Sequence, residues 1–487
     1  MNLKLRTIFK TEGQVLIILG ISMLLPFVTA LAYGETASAK AFAYVALPCS
    51  FLGFLMMRFI NFSEKPLRLR DGFFIVAVSW LLAAFIGSLP MLIDHSIPHF
   101  FDSFFEMCSG FTTTGATVLD DVESMPRAVL MWRAFSHWLG GMGILVFAIA
   151  LLPSLGISGQ EIAQAETPGP VLSKISPKMA DTARTLYLLY ITFTAAETLL
   201  LLLGGMSFFD AITHSFGTVG TGGFGNYNDS IAHFDSAFID FVITFFMIVS
   251  GVNFNLYFLF LKDGKLSFFK DQECRLYLII FALFSVIIAA SLMISNTFDG
   301  ALHSLRYAAF TVASILTTTG FATTDFGSWP AFCIMLLFTL FFIGGCSSST
   351  AGGVKVIRVL VMLKMIRRSI ALKLHPNALI RIRVDRKTLS TDVVQSICAF
   401  VFLYVAFFFF ISICISLDDY DMLTNLSAAA SCIGNIGPGL SAVGPANTFS
   451  LFSDGSKFIL SLSMVAGRLE LFTLLMMLSG RFWNPNE

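Results

Sequence analysis

Charged residues are scarce in this chain of 487 residues: Asp, Glu, Lys and Arg together make up 13%, about half the share found in soluble domains. Hydrophobic residues make up 56%, and phenylalanine alone contributes 53 residues. A soluble protein with this balance would have too little polar surface to face water. The composition therefore excludes a string of soluble domains and predicts an all-α, polytopic membrane protein.

Several chemical signatures are also missing. The formal net charge is 0, so the sequence gives no sign of nucleic-acid binding. No pair among the eight cysteines has the CxxC spacing of a metal site, and we expect them to be reduced packing residues. The sequence contains no phosphate-binding loop, nucleophile elbow or dinucleotide fingerprint. We therefore expect no enzymatic activity and no organic cofactor on this chain.

Long apolar runs dominate the rest of the sequence. A membrane-spanning helix needs about 20 apolar residues, and shorter apolar segments are typical of re-entrant pieces. Ten runs are candidates for spans: 13–33, 41–60, 72–93, 128–152, 183–206, 236–261, 275–296, 331–343 and beyond, 391–416 and 455–480. Four shorter segments are candidates for re-entrant helices: 99–111, 208–217, 301–316 and 421–433.

Basic residues predict the orientation. Lys and Arg concentrate in cytoplasmic loops, and 25 of the 31 fall in segments on the same side as the N-terminus, ten of them between Lys355 and Lys387. Acidic residues such as Asp120, Asp121 and Asp418 collect on the other side. We expect both termini to be cytoplasmic and all four short segments to enter from outside.

The spans repeat in a fixed order. After two N-terminal transmembrane helices (1–71), a long span, a short re-entrant helix, a polar Gly/Thr stretch and a second span occur four times in parallel. The predicted units are repeat 1 (72–154), a cytoplasmic loop (155–182), repeat 2 (183–262), repeat 3 (275–373) and repeat 4 (391–487). By alignment, the polar stretches are Thr113-Thr114-Gly115, Thr218-Val219-Gly220, Thr318-Thr319-Gly320 and Asn435-Ile436-Gly437.

Four such stretches point to ion conduction. Non-helical backbone at membrane depth is tolerated only where protein or a water-filled cavity surrounds it. If the four stretches meet around one axis, their carbonyl oxygens can replace the hydration shell of a dehydrated monovalent cation. Glycine permits the backbone angles that this requires. The alternative is that these Gly and Thr residues only pack helices together.

The motifs TTTGAT, GTVGTGG, LTTTGF and GNIGPG, in this order, resemble the pore loops of the Trk/Ktr/HKT superfamily of cation transporters. The resemblance implies a potassium-selective, channel-like uptake subunit of the bacterial inner membrane. It also implies a homodimer and a cytoplasmic nucleotide-binding partner of the TrkA type that gates it. Within the superfamily, glycine at all four filter positions accompanies potassium selectivity, and serine in the first repeat accompanies sodium transport. The fourth loop departs from the pattern, since Asn435-Ile436 stands where the other loops have a Thr pair or Thr-Val.

A polar break interrupts the last span of repeat 3. Residues 331–372 would form a helix of about 60 Å, twice the hydrocarbon thickness. The break consists of Gly344, Gly345, Cys346, Ser347, Ser348, Ser349, Thr350, Ala351, Gly352 and Gly353. We interpret it as an intramembrane gate loop below the filter, as the resemblance supports; the alternative is a kinked helix. The basic stretch that follows could bind lipid headgroups or a cytoplasmic partner.

Arg468 lies near the middle of the last span. A lone Arg there is costly unless it faces water or a partner. We expect it to face the pore just under the filter, where its charge prevents cations from binding too tightly. The alternative is a structural ion pair with Glu197 or Glu470.

Other functions remain open on the sequence. A carrier with alternating access is disfavoured because the repeats are parallel rather than inverted. An intramembrane enzyme would need buried acid–base constellations that the sequence lacks. A sodium-permeable or potassium/cation-symporting relative is opposed only by the filter residues.

Overall fold

The computed structural model describes residues 5–60, 69–143, 179–263, 270–385 and 387–483. The predicted cytoplasmic loop 155–182 lies outside the described residues, except for its last four, which begin a helix. Helices α1 (Leu5–Ser22) and α2 (Leu24–Tyr33) follow each other as one apolar segment, and α3 (Thr36–Phe59) packs against α1. Glycines let these helices approach closely: a Cβ added to Gly53 would lie 2.5 Å from the Gly13 carbonyl oxygen.

The remaining chain forms the predicted pattern four times: a long first helix, a short pore helix, a loop and an inner helix that is short or broken. The bounds are α4 (Leu69–Ile93), α5 (Phe100–Phe111) and α6 (Arg127–Gly141) in repeat 1; α7 (Met179–Leu203), α8 (Phe208–Val219), α9 (Ala237–Ser250) and α10 (Phe254–Asp263) in repeat 2; α11 (Gln272–Ile294), α12 (Ala301–Leu316), α13 (Ala331–Leu340) and α14 (Val356–Leu374) in repeat 3; and α15 (Thr391–Ile415), α16 (Met422–Gly434), α17 (Asp454–Arg468), α18 (Phe472–Leu478) and α19 (Gly480–Trp483) in repeat 4. A two-stranded antiparallel hairpin, β1 (Arg383–Val384) and β2 (Lys387–Thr388), separates repeats 3 and 4.

The inner helices differ from the prediction of ten long spans. In the described part of the chain, six helices are long and apolar enough to cross a membrane, or seven if α9 and α10 are joined across their 86° bend. The continuous spans predicted at 236–261 and 455–480 are therefore wrong. The first breaks at Gly251–Asn253, where the Gly251 carbonyl accepts a hydrogen bond from the Cys346 backbone (2.9 Å) instead of continuing a helix. The second breaks after Arg468, where Glu470 has a φ of 55°.

The repeats follow one another around an axis. In repeats 1, 2 and 4 the inner helix packs on the pore helix of the next repeat: α6 on α8, α9 on α12, and α17 back on α5. Between repeats 3 and 4 the contact comes from the break after α13, since a Cβ on Gly352 would lie 2.5 Å from the Gly434 carbonyl oxygen. Buried or half-buried ion pairs join repeat 3 to repeat 2 (Arg306–Asp240, 2.7 Å) and repeat 4 to repeat 1 (Lys457–Asp102, 2.6 Å). The chain is thus an all-α polytopic membrane protein with four pore helices around one centre.

Candidate functional site

A loop of the same shape follows each pore helix. After α5, Thr113 adopts the left-handed conformation (φ 56°), and Gly115 has a φ of 83°. Loops 3 and 4 repeat this pattern with Thr318 and Gly320 and with Asn435 and Gly437. The hydrogen bonds match as well: the Thr114 backbone amide donates to the Ser109 carbonyl (2.9 Å), as Thr319 does to Ser314 and Ile436 to Ser431.

The second loop corrects our alignment. Thr218 and Val219 belong to the last turn of α8, and Gly220 continues it with a φ of −71°. The left-handed residue is Thr221 (φ 55°), and the glycine with positive φ is Gly223 (φ 81°). The Gly222 amide donates to the Gly217 carbonyl (2.8 Å), the bond made by Thr114 in loop 1. The equivalents of Thr113-Thr114-Gly115 are therefore Thr221-Gly222-Gly223, and the predicted register of this loop is wrong by three residues.

The four loops close into a ring. A Cβ added to each glycine would collide with a carbonyl oxygen of the next loop, because the backbones touch there. The separations from that Cβ position are 2.1 Å from Gly115 to Gly222, 1.9 Å from Gly223 to Thr319, 2.3 Å from Gly320 to Ile436 and 2.8 Å from Gly437 to Thr114. The order 1-2-3-4-1 has no gap. We call these four three-residue segments the filter ring: 113–115, 221–223, 318–320 and 435–437.

The ring offers oxygen atoms without competing donors. Within the described residues, no hydrogen bond is donated to the carbonyl oxygens of Thr114, Gly222, Thr319 and Ile436. No group of three His, Cys, Asp or Glu side chains that could hold a metal ion occurs in the described ranges either. The chemistry available at the ring is therefore that of neutral carbonyls. The C-termini of the four pore helices, with their partial negative charge, end at the same place and favour a cation.

Loop 4 has Asn435 where loops 1, 2 and 3 have a threonine, and this side chain makes contacts of its own. Asn435 donates from Nδ2 to Thr114 Oγ1 (3.0 Å) and to the Met464 carbonyl (2.9 Å). The same Thr114 hydroxyl lies 2.7 Å from that of Thr112, as Thr319 does from Thr317. Asn435 therefore ties loop 4 to loop 1, a contact that a Thr at this position is too short to make.

An ion pair buttresses the ring from outside. Arg133 on α6 and Glu106 on α5 form a buried pair (Nε to Oε1, 2.7 Å). Glu106 also accepts from the Val118 amide (3.0 Å), and Arg133 donates to the Gly225 carbonyl (3.4 Å). The pair thus holds the chain just beyond the glycines of loops 1 and 2.

The outer cavity above the ring is lined by all four glycines of the corrected alignment and not by Gly220. Asp120 contributes a carboxylate to its wall. At the N-terminus of α16, the Asp421 carboxyl caps the helix, and hydrogen bonds from Thr424 lower its pKa. Carboxylates on this side raise the local concentration of cations.

The polar break of repeat 3 lies directly beneath the ring. It spans residues 341–355 between α13 and α14, and the ten predicted gate residues, Gly344 to Gly353, all fall inside it. The Gly352 amide donates to Thr318 Oγ1 (2.6 Å), and Thr350 donates to the Ser250 carbonyl (3.2 Å). The segment therefore contacts the ring and the bend of repeat 2, and it is a loop rather than a kinked helix.

Arg468 occupies the space between the ring and this loop. Its Nη1 donates to Thr113 Oγ1 (3.1 Å) and to the Thr350 carbonyl (2.8 Å). Its Nη2 donates to the Gly140 and Gly141 carbonyls at the end of α6 (2.6 and 2.9 Å). Arg468 thus lies between Thr113 of the filter ring and Thr350 of the loop, and its action on a passing ion stays a prediction. Of the two alternative ion-pair partners, Glu470 pairs with Arg358 on α14 (2.5 Å).

The sequence analysis gave no role at the loop to two charged residues, Glu273 and Lys355, and it wrongly counted Lys355 among the exposed basic residues on the cytoplasmic side. Lys355, fully buried where the loop ends, donates from Nζ to the Ala351 carbonyl. Glu273 on α11 accepts from the Ser347 amide (2.5 Å) and hydroxyl (2.6 Å) and from the Ile357 amide (3.2 Å). Together with Arg468, three charged side chains therefore form hydrogen bonds with the loop. The partners of Glu273 lie 74 or more positions away in the chain, so no local sequence pattern indicates these contacts.

Comparisons with known proteins agree with this architecture. A family model described as TrkH, cation transport protein, matches residues 49–484. The potassium uptake protein TrkH of Salmonella typhimurium is 37% identical over 483 residues, 98% of this chain and 99% of that protein. TrkG of Escherichia coli is 37% identical over 468 residues, 95% of each chain. The crystal structure of the potassium transporter TrkH from Vibrio parahaemolyticus superposes with a TM-score of 0.88 at 36% identity, covering 99% of this chain and 100% of that one. These relatives are named as transport proteins rather than enzymes, and the chain belongs to the TrkH family of cation transport proteins.

Proposed function

We propose that this chain is the potassium-conducting uptake subunit of a Trk system, and that K⁺ passes through the filter ring. The observation that carries the proposal is the closed ring of four glycine loops, whose carbonyl oxygens have no donor within the described chain. The names of the relatives, which are potassium uptake proteins, support the choice of ion.

Selectivity follows from the neutral ring. Carbonyl dipoles replace the hydration shell of an ion, and K⁺ gives up its shell more readily than the smaller Na⁺. Glycine stands at all four positions, now Gly115, Gly223, Gly320 and Gly437, which is the pattern that accompanies potassium selectivity in the superfamily. A sodium-permeable or cation-coupled relative has no specific observation in its favour.

The intramembrane loop and Arg468 are the proposed gate. Together they fill the space under the ring, with hydrogen bonds to Thr113 and Thr318 of the ring itself. Conduction requires the loop to leave this position. The Arg358–Glu470 pair connects α14, which follows the loop, to the chain just after Arg468, so a displacement of α14 reaches both parts of the gate.

The control of the gate is assigned to a second protein. We propose that a cytoplasmic nucleotide-binding subunit of the TrkA type binds the basic region that ends at Lys387, through the part of α14 from Lys364 onward and the β1–β2 hairpin, because Lys355 and Arg358 at its start are buried beneath the ring. The chain itself is proposed to form a homodimer in the bacterial inner membrane, as the resemblance to the superfamily implies. Both termini are proposed to lie in the cytoplasm, because Lys and Arg concentrate on their side.

A flux assay tests the proposal. Purified protein is placed in liposomes loaded with potassium, and radioactive Rb⁺, as a substitute for K⁺, or Na⁺ is added outside. The outward potassium gradient drives uptake, and the ion taken up is measured. We expect Rb⁺ uptake to exceed Na⁺ uptake by at least about tenfold, the factor that 1.4 kcal/mol of discrimination provides. Equal uptake of the two ions by well-folded protein would contradict a potassium filter.

A further inference from the structure

His137 lies where loop 2 of the filter ring has no side chain. In loops 1, 3 and 4 the middle position carries Thr114, Thr319 and Ile436, but loop 2 has Gly222. A Cβ on Gly222 would lie 2.2 Å from Cγ of the His137 ring, and no other atom is as near. The backbone of Gly222 does not require glycine, because its φ lies outside the left-handed range. Glycine is therefore needed there only to make room for His137.

Both nitrogens of the His137 ring are engaged. Nε2 lies 3.2 Å from the Phe224 backbone amide, which can only donate, so Nε2 accepts and carries no proton. Nδ1 lies 2.7 Å from the Gly110 carbonyl of pore helix α5, so Nδ1 carries the proton and donates. A fully buried, neutral imidazole thus links pore helix 1 to the residue that follows the loop 2 glycine.

The neighbouring turn of α6 supports the same contact. The Arg133 guanidinium lies over the Phe224 ring at 4.1 Å, and the His137 ring lies 4.2 Å from it. Phe224 is therefore held by two residues one helical turn apart, through its backbone by His137 and through its ring by both. His137 thus holds the residue directly after Gly223, and Gly223 is the glycine that packs against the Thr319 carbonyl of loop 3.

We infer that His137 is a positioning residue of the filter. It supports loop 2 in the way that the side chains of the middle residues, Thr114, Thr319 and Ile436, support the other three loops. It does not contact the ion. By fixing the Phe224 amide and filling the space beside Gly222, it sets the place of one quarter of the ring and thereby contributes to the discrimination between K⁺ and Na⁺. The inference rests on the proposed conduction of K⁺ through this ring.

The test compares the Rb⁺-to-Na⁺ uptake ratio of four variants in liposomes. His137→Leu keeps much of the volume but removes both hydrogen bonds, and we expect the ratio to fall about fivefold, the effect of roughly one hydrogen bond. His137→Gln can still donate and accept, and we expect a ratio within about twofold of the parent. Gly222→Thr alone collides with the ring and lowers the ratio. Combining it with His137→Ala gives loop 2 the side chain of loops 1 and 3 and recovers most of the loss, a coupling typical of residues in contact.

His303→Leu is the matched control, because His303 is an exposed histidine of pore helix α12 whose ring Nδ1 lies 2.8 Å from the Asp299 carbonyl, just before that helix begins and away from the ring. Size-exclusion chromatography establishes that each variant is folded, and if His137→Leu is not, Gly222→Ala takes its place. A parent ratio retained by a folded His137→Leu or Gly222→Ala variant would overturn the inference, as would a Gln variant no more selective than Leu. A parent protein that does not discriminate at all would instead refute the proposed function, so the two failures are distinguishable.

Discussion

Adding a single methyl group to each ring glycine in turn should lower selectivity in a graded order. The substitution Gly→Ala introduces a Cβ that must stand at least 3.0 Å from the facing carbonyl oxygen. At Gly223 the separation is 1.9 Å, so the Thr319 carbonyl must retreat by about 1.1 Å; at Gly437 it is 2.8 Å, so the Thr114 carbonyl retreats by only about 0.2 Å. The left-handed backbone costs every one of these variants about 1–2 kcal/mol of stability, so that term does not separate them.

The displaced carbonyl sets the size of the effect. For an oxygen with about half a unit charge, about 2.8 Å from the ion at an effective dielectric constant of about 20, a retreat of about 1.1 Å costs about 0.8 kcal/mol. A retreat of about 0.2 Å costs about 0.2 kcal/mol. This cost falls on Rb⁺, which exchanges its hydration shell for the ring oxygens, and not on Na⁺, which keeps its shell. The Rb⁺-to-Na⁺ ratio should therefore fall about fourfold for Gly223→Ala and less than about twofold for Gly437→Ala. Gly115→Ala and Gly320→Ala lie between them, in that order.

Uptake of both ions by liposomes measures the series, with the amount of folded protein normalised by chromatography. Gly220→Ala is the comparison that separates the two registers of loop 2. Its Cβ would lie 2.7 Å from the His137 carbonyl and would not collide with a carbonyl of the ring, so we expect a lower yield of folded protein and a smaller fall in the ion ratio than for Gly223→Ala. Our account of the ring fails if Gly220→Ala alters the ratio while Gly223→Ala does not, or if Gly437→Ala is as damaging as Gly223→Ala.

Three further predictions concern the proposed gate. Deleting Gly345 to Gly352 removes the loop under the ring, so Rb⁺ uptake should rise while the ion ratio stays the same; a folded deletion variant without uptake would make the loop structural. Arg468→Gln removes a charge that repels a cation about 6 Å away by roughly 2–3 kcal/mol at an effective dielectric constant of about 20, so the apparent affinity for Rb⁺ should increase, whereas Arg468→Lys should resemble the parent. Unaltered kinetics in Arg468→Gln would show that the ion does not sense this charge. Glu273→Gln replaces a charged acceptor of the Ser347 amide by a neutral one, at a cost of about 1 kcal/mol, and should raise uptake about fivefold through a loosened loop; equal hydrogen exchange at Ser347 in parent and variant would contradict this.

The repeated architecture could be predicted because lipid imposes it. Apolar runs, short re-entrant segments and the distribution of basic residues gave the order of the helices, and loops 1, 3 and 4 were aligned correctly. Loop 2 was not, because five glycines between 217 and 225 offer several similar registers. The end of α8 decides among them, and it depends on packing against His137 rather than on local sequence.

The breaks in the inner helices were only partly predictable. The break of repeat 3 is marked by ten consecutive small or polar residues, whereas that of repeat 2 has only Ser250, Gly251, Asn253 and Asn255 scattered between apolar residues. The cause of this break is the gate loop itself, because the Cys346 backbone amide donates a hydrogen bond to the Gly251 carbonyl. A contact across 95 residues leaves no periodic signal in either segment.

Because the four quarters of the ring belong to one polypeptide, each can be altered independently. In an assembly of four identical subunits, every substitution enters all quarters at once, and an arrangement as bulky as an imidazole beside each loop would have to fit four times. Here loop 2 carries a histidine wedge, loop 4 an asparagine bridge and loop 3 the contact with the loop beneath it. If the ring conducts ions as proposed, a single mutation alters one quarter of it, and a change from one ion preference to another can proceed one quarter at a time.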